Sequence, residues 1–327
     1  MQVILADALG FCFGVRDAIA VADQTARPRD VTIHGELVHN ERVLSRLAQI
    51  GFERSAEQNR EAVPATPLVM ITAHGVSERE RQRLEEAGKQ LIDTTCPLVR
   101  KVHRAAQVLS SEGRHVLIVG RPGHVEVLGI LGDLASGEVV ETADSVKTYP
   151  HRRLGIVCQS TTPPRLAADV VAAIRDANPD ADIRFIDTIC QPTRDRQEAV
   201  DRLLPLVDAV VVVGGKNSNN TRELAALCHE RGVPAYHVQS PADLDASWFI
   251  NCRAVGLTAG TSTLDETIDE VRQALLGMTP APSETSMSAG RPTPASCGES
   301  ATPLLGRTAS RRPSEHFHTD SQNETLE

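Results

Sequence analysis

The stretch Leu91-Ile92-Asp93-Thr94-Thr95-Cys96-Pro97-Leu98-Val99, continued by Arg100-Lys101-Val102-His103, decides how the chain is read. A short apolar run ends in Thr-Thr-Cys, and a proline then opens a basic helical pattern. Proline suits the first helical turn, where a backbone N–H would have no partner. Cys96 is therefore expected at a strand-to-helix junction. The same design recurs twice. Val3-Ile4-Leu5-Ala6-Asp7 leads through Gly10-Phe11 to Cys12 and a helix from Val15. Ile183-Arg184-Phe185-Ile186-Asp187-Thr188-Ile189 leads to Cys190 and a helix through Thr193 and Arg196. Asp93-Thr-Thr-Cys96 and Asp187-Thr-Ile-Cys190 are nearly one phrase repeated. Three cysteines in one local setting can converge on one point.

Outside these junctions, β-branched runs alternate with helical patterns. Strands are expected at Val3–Ala6, Val31–His34, Leu68–Thr72, Leu91–Asp93, His115–Val119, Gly155–Cys158, Ile183–Ile186, Ala209–Val213, Pro234–His237 and Ala254–Thr258. Helices are expected at Glu41–Gln49, Glu78–Ala87, Pro97–Ser111, Pro164–Ala177, Thr193–Leu204 and Arg222–Arg231. Strand–helix alternation predicts α/β architecture with parallel sheets, whose ligands sit beyond the carboxyl ends of the strands. From about Thr279 to Thr308, Pro, Ser, Thr and Gly dominate and apolar periodicity stops, so a disordered tail is expected over 278–327.

With 327 residues, 41% of them apolar, the chain can bury a core of two or three domains. A net charge of -9 and 3% aromatic residues exclude a general nucleic-acid binder, which needs basic surface and stacking rings. No apolar run reaches the ~20 residues that cross a bilayer. The N-terminus has neither the basic flank nor the cleavage site of a signal peptide. Seven widely spaced cysteines suit a reducing compartment. A cytoplasmic protein is expected.

Polar residues gather just past the expected strand ends. Cysteine thiolates bind zinc or iron–sulfur clusters, although most cysteines are simply small buried hydrophobes. Cys158, Cys228 and Cys252 belong to that common class. Cys12, Cys96 and Cys190 differ by preceding helix N-termini, where the dipole lowers thiol pKa. No Cys-x-x-Cys pair points to a zinc ribbon or a ferredoxin-type ligand run. Three ligands on a cubane cluster would leave one iron open to substrate. His39, His74 and His124 each follow a strand, and they suit either an anion or a metal. The loops Ser160-Thr161-Thr162, Ser218-Asn219-Asn220 and Thr261-Ser262-Thr263 offer hydroxyls and amides that can cradle phosphate, or simply cap helices. The absence of GxxxxGK[ST] and of a clean GxGxxG leaves a small phosphorylated substrate rather than ATP or a dinucleotide. Glu126, two residues after His124, is either a proton donor in the pocket or a solvated first-turn carboxylate.

Taken in order, Gly10-Phe11-Cys12-Phe13-Gly14-Val15, Glu36-Leu37-Val38-His39-Asn40, Ala73-His74-Gly75-Val76-Ser77 and Asp93-Thr94-Thr95-Cys96-Pro97-Leu98-Val99 resemble the LytB-type 4-hydroxy-3-methylbut-2-enyl diphosphate reductases. So do Gly123-His124-Val125-Glu126, Ile189-Cys190, Arg196-Gln197-Glu198-Ala199-Val200, Lys216-Asn217-Ser218 and Thr258-Ala259-Gly260-Thr261-Ser262. The likeness spans residues 1 to about 276 and leaves out the tail. It implies three pseudo-symmetric α/β domains in a trefoil around a central iron–sulfur cluster: 13–96, 97–189, and 190–277 joined by the N-terminal strand 1–12. By position it implies Cys12, Cys96 and Cys190 as ligands of a [4Fe-4S] cluster with one open iron. It implies His39, His74, His124, Ser218, Asn220 and Ser262 around the diphosphate, with Ser160, Thr161 and Asn219 beside them, and Glu126 and Ser160 in proton delivery. The implied reaction removes the allylic hydroxyl of (E)-4-hydroxy-3-methylbut-2-enyl diphosphate. It yields isopentenyl and dimethylallyl diphosphates, the last step of the non-mevalonate isoprenoid pathway, with ferredoxin or flavodoxin as electron donor. This chain departs from the family's usual pattern at Ser160, where the family has Thr, at Asn219, where it has Ser, and at Leu264, often Pro. Two other readings compete: a zinc-dependent hydrolase or lyase acting on a phosphorylated small molecule, and a non-catalytic diphosphate-binding module.

Overall fold

A computed structural model of the chain describes residues 1–57, 60 and 62–278. Twelve strands among the described residues form three sheets of four, and every pairing is parallel. The first sheet holds β2 (Val31–Ile33), β3 (Glu53–Arg54), β4 (Leu68–Ile71) and β5 (Gln90–Asp93), in the order β3-β2-β4-β5. The second holds β6 (His115–Val119), β7 (Gly137–Val140), β8 (Arg153–Cys158) and β9 (Asp182–Phe185), in the order β7-β6-β8-β9. The third joins β10 (Ala209–Val213), β11 (Ala235–Val238) and β12 (Ala254–Ala259) to the N-terminal β1 (Gln2–Leu5), in the order β1-β12-β10-β11.

These orders are one topology used three times. In each unit the first strand in chain order takes the third place, the second strand the far edge, the third strand the second place, and the last the near edge. β1 fills that last role for the third sheet, although it opens the chain. Its register, Gln2 beside Ala254 through Leu5 beside Leu257, completes the edge.

The helices are α1 (Phe13–Asp23), α2 (Glu41–Gln49), α3 (Glu78–Glu86), α4 (Pro97–Ser111), α5 (Val125–Leu131), α6 (Pro164–Ala177), α7 (Gln191–Leu203), α8 (Asn219–Glu230) and α9 (Asp265–Gly277). They bury the sheets on both faces, as parallel sheets require. Alternate residues of the inner strands feed opposite cores. In β6, Leu117 and Val119 pack with α6 residues Val170 and Ile174, while Val116 and Ile118 pack with α4 residues Val102 and Leu109. In β10, Val211 and Val213 meet α9 through Val271 and Leu275, whereas Val210 and Val212 meet α8 through Leu224. A continuous apolar run such as Ala209-Val-Val-Val-Val213 is what burial on both faces demands.

The expected helices α2, α4 and α6 have the bounds read from the sequence, and α3 ends one residue early. α7 and α8 begin two and three residues before the expected positions, at Gln191 and Asn219. The strands β3 and β7 were not expected. β3 has two residues, and β7 carries a Gly and a Glu, so neither shows the apolar run that marks the others. The expected tail lies outside the described residues from 279 onward.

Candidate active site

All thirteen residues singled out from the sequence line one small cavity of about 80 Å³: Cys12, Cys96, Cys190, His39, His74, His124, Glu126, Ser160, Thr161, Ser218, Asn219, Asn220 and Ser262. The threefold topology explains the convergence. Cys12, Cys96 and Cys190 each follow a near-edge strand, β1, β5 or β9. Ser262, His74 and Ser160 follow the strand beside it, β12, β4 or β8. Ser218, His39 and His124 follow the next one, β10, β2 or β6. Within each unit the cysteine N–H donates to a carbonyl in the adjacent loop: Cys12 to Thr261 at 3.1 Å, Cys96 to Ala73 at 3.1 Å, Cys190 to Ser160 at 2.9 Å.

The three cysteines are the N-caps of α1, α4 and α7, and none of the thiols is used as a cap. Ser218, Asn40 and His124, in contrast, accept capping bonds from Thr221, Val43 and Glu126. All three thiols are free of disulfides. Gly14, two residues into the turn after Cys12, packs so tightly on Cys96 that a Cβ there would lie 2.4 Å from its sulfur. The expected lowering of thiol pKa is not found at Cys96 or Cys190. Burial pushes Cys96 up, and pushes Cys190 up to about 11, with the neighbouring Cys12 and Glu126 adding to both. Amide donors at the helix ends oppose this without reversing it, because loss of hydration outweighs the dipole. A metal, which binds thiolate outright, would overcome that resistance. The donor set fits an iron–sulfur cluster better than one ion. Among the described residues, the donors lying within 4.8 Å of one another are His39, His74 and His124, not the cysteines. Zinc–sulfur bonds near 2.3 Å would hold thiolates about 3.8 Å apart. Cys158 and Cys228 are buried and pushed up to about 12, in keeping with ordinary core thiols.

The imidazoles of His39 and His74 stack with centroids 4.2 Å apart, and His124 stands edge-on to both at 5.4 and 5.6 Å. Burial, and then the proximity of the other rings, lowers His74 well below its usual value. Burial likewise brings His124 down to about 3, with His39 and Arg121 contributing. His124 Nδ1 accepts from the Glu126 N–H at 3.2 Å, which leaves the ring proton on Nε2 as a donor rather than a lone pair for a metal. His39 Nδ1 bonds Glu36 Oε2 at 2.8 Å. Burial leaves His39 Nε2, His74 Nε2 and Asn220 Nδ2 without partners, and all three residues border the cavity. Such groups carry a free-energy cost that an oxygen-rich ligand would remove.

Glu126, 2% exposed, is not a solvated carboxylate. Burial raises it to about 7, even though Ser160 donates to it twice, from N to Oε1 at 2.6 Å and from Oγ to Oε2 at 2.8 Å. Its charge raises both Cys96 and Cys190, while His39 favours its ionised form. The serine at position 160 therefore keeps the hydroxyl contact. The asparagine at 219 donates to Thr161 Oγ1 at 3.2 Å, tying two site loops together. Leu264 caps α9 and packs on the first core. Ser262 caps no helix: α9 begins at Asp265 with Leu264 as its N-cap, and Ser262 Oγ donates to His39 O at 3.1 Å. Sequence reasoning missed Glu36, Asn40 and Arg196. Asn40 donates to Ser262 O at 2.7 Å while capping α2. A polar residue flanking a candidate histidine was the available signal for the first two.

The family model described as LytB protein matches residues 3–276. The chain is 35% identical over 283 residues to the 4-hydroxy-3-methylbut-2-enyl diphosphate reductase of Aquifex aeolicus, covering 84% of this chain and 96% of that one. It is 38% identical over 284 residues to the protein of the same name from Methylibium petroleiphilum, covering 84% of each. Among solved structures, the Plasmodium falciparum E-1-hydroxy-2-methyl-but-2-enyl-4-diphosphate reductase is similar with a TM-score of 0.76 and 27% identity, over 86% of this chain and 89% of that one. A second, described as (E)-4-hydroxy-3-methyl-but-2-enyl diphosphate reductase, the terminal enzyme of the non-mevalonate pathway, has a TM-score of 0.59 and 35% identity, over 85% and 100%.

Proposed function

The chain belongs to the LytB protein family, and on that footing we propose that it reduces (E)-4-hydroxy-3-methylbut-2-enyl diphosphate to isopentenyl and dimethylallyl diphosphates. It is an oxidoreductase of the non-mevalonate route to isoprenoids. Two electrons and two protons enter for each hydroxyl that leaves as water. The observation that carries the reading is the single cavity in which three uncapped thiols, three imidazoles and a protonatable carboxyl meet.

Cys12, Cys96 and Cys190 would hold an iron–sulfur cluster, proposed as [4Fe-4S] with one iron lacking a protein ligand; when bound it supplies the electrons and a site for the allylic oxygen. The remaining steps belong to side chains. His39, His74, His124, Ser218, Asn220 and Ser262 surround the diphosphate, and the unpartnered Nε2 and Nδ2 atoms gain acceptors there. Glu126 delivers a proton to the departing hydroxyl. Near neutral pH it is both protonated often enough to donate and ionised often enough to be recharged. Ser160 holds the carboxyl in place through two bonds. Thr161 and Asn219 fix the adjoining loop. We take the donor to be ferredoxin or flavodoxin and the compartment to be the cytoplasm; among the described residues no helix is long and apolar enough to cross a membrane. Each sheet with its helices is taken as one domain, 13–96, 97–189, and 190–277 completed by 1–12.

Anaerobic purification tests the proposal. The protein should be brown, contain iron and sulfide, bleach in air and turn over the allylic diphosphate with a strong reductant. Cys96→Ser should lose the colour. A stable, colourless protein with zinc on the histidines would support the hydrolase or lyase reading. A cluster-bearing protein with no turnover would support the binding module.

A further inference from the structure

Arg196, on α7, is 5% exposed. Its Nη2 donates to Gly10 O at 2.5 Å in the loop before Cys12, and its Nη1 donates to Pro192 O at 2.9 Å, two residues beyond Cys190. Its Nε is buried without a partner. Among the described residues it forms no ion pair with a carboxylate, whereas Arg194, two positions earlier, pairs with Asp187 at 2.5 Å. A guanidinium stays charged in proteins. A buried charge with only neutral oxygens around it is costly. Burial is the largest influence on the guanidinium and holds its pKa below the usual value, with Arg16 adding to this; what opposes it is negative charge on Cys12, then Cys190, then Asp195.

We infer that Arg196 is the counter-charge of the cluster bound by Cys12 and Cys190, and that it makes that cluster easier to reduce. The inference rests on the iron–sulfur reading proposed above. Each electron from a one-electron carrier adds a negative charge to the bound centre, with no bond made or broken in this chain. A fixed cation bonded to the backbone two residues from two of the three ligands favours the more negative, reduced form. Charge and hydrogen bonding around the sulfurs are the protein's main means of setting such potentials. Arg196 is not among the residues that line the cavity. It is a positioning residue that acts through two cysteines.

The test uses full-length protein, purified and reconstituted anaerobically, as wild type, Arg196→Gln and Arg196→Lys. Iron and sulfide per chain are measured, together with the fraction of cluster reduced at a series of fixed potentials. Gln keeps donors for the carbonyls and loses the charge; Lys keeps the charge and loses the planar fork. The expectation is that at a fixed potential the ratio of reduced to oxidised cluster falls at least tenfold in Arg196→Gln, about 59 mV for one electron. In Arg196→Lys it should change less than threefold. An unchanged ratio in Arg196→Gln, or equal shifts in both variants, would overturn the inference and leave Arg196 as a clamp between two loops. If Gln prevents cluster binding, retention by Lys supports the charge and loss in both overturns it. Wild type without iron and sulfide would remove the iron–sulfur reading itself, an outcome separate from all of these.

Discussion

A glutamate in water has lost its proton by neutral pH, but Glu126 keeps it until about 7 because burial strips the carboxylate of hydration. The folded chain thus holds this proton more tightly than the unfolded chain, whose glutamate has the usual value of 4.5. The stabilisation is complete below pH 4.5 and is lost as pH rises to and through 7, a difference on the order of 3 kcal/mol. Glu126→Gln removes that titration. In cluster-free protein, the variant should melt several degrees above wild type at pH 8.5, with the gap closing toward pH 5. Equal melting curves at pH 8.5 would disprove the buried-carboxyl account. In the loaded enzyme the same change should reduce turnover by about 10² or more, the size of a lost general acid. Ser160 tests the position from the other side. The Ser160 Oγ bond favours the ionised carboxyl, so Ser160→Ala, which loses it and keeps the backbone N–H bond, should raise the Glu126 pKa further and carry the alkaline fall in kcat to higher pH. A fall that stays in place, or moves to lower pH, would show that Ser160 does not control this proton.

At the level of elements, the site is made by three strand–loop–helix junctions whose cysteine N-caps line one cavity. Close contact between junctions is shown by Gly14 in α1, where an added Cβ would lie 2.4 Å from the Cys96 sulfur and 3.1 Å from its Cβ. Both atoms belong to a short side chain at a helix start and have little room to yield. Gly14→Ala should therefore reduce iron bound per chain several-fold with the far-ultraviolet circular dichroism unchanged. Gly277→Ala, at the end of α9 with nothing within 4 Å, should leave iron content as it was. Full iron loading in Gly14→Ala would mean that the two junctions do not pack as described. The junctions were legible in the sequence because each pairs an apolar run with a cysteine and a helix opening, two of them with a nearby proline. Thin edges were not legible: β3 and β7 pair through the backbone and lack the side-chain signal. Arg196 was also passed over, although its neighbours on the α7 face, Thr193, Ala199, Val200 and Leu203, are all buried. A charged residue on such a face with no acid three or four positions away was the clue. The dipole argument for low thiol pKa failed at Cys96 and Cys190 because helix position can be read from sequence and depth of burial cannot.

Across the whole molecule the cavity draws on all three sheets: His39 and His74 from the first, His124 and Glu126 from the second, Ser218, Asn220 and Ser262 from the third. The chain order hides this, since β1 closes a sheet whose other strands lie more than 200 residues away. The identity of the loops was readable one by one, but their meeting depended on a topology repeated three times. A ligand held by all three units should stabilise them together. Inorganic pyrophosphate at a hundred times its Kd would add about 2.7 kcal/mol to unfolding, seen as one melting transition moving up rather than a transition that splits. The same ligand should bind more tightly in acid. His74 and His124 are held neutral by burial and by the neighbouring rings, and an entering polyanion replaces that environment with negative charge, which raises both. Proton uptake then accompanies binding, and affinity grows as pH falls from 8 to 6. Calorimetry in two buffers of different ionisation enthalpy reads the protons directly. An affinity that is flat over that range, with no proton exchanged, would show that the three imidazoles do not receive the anion.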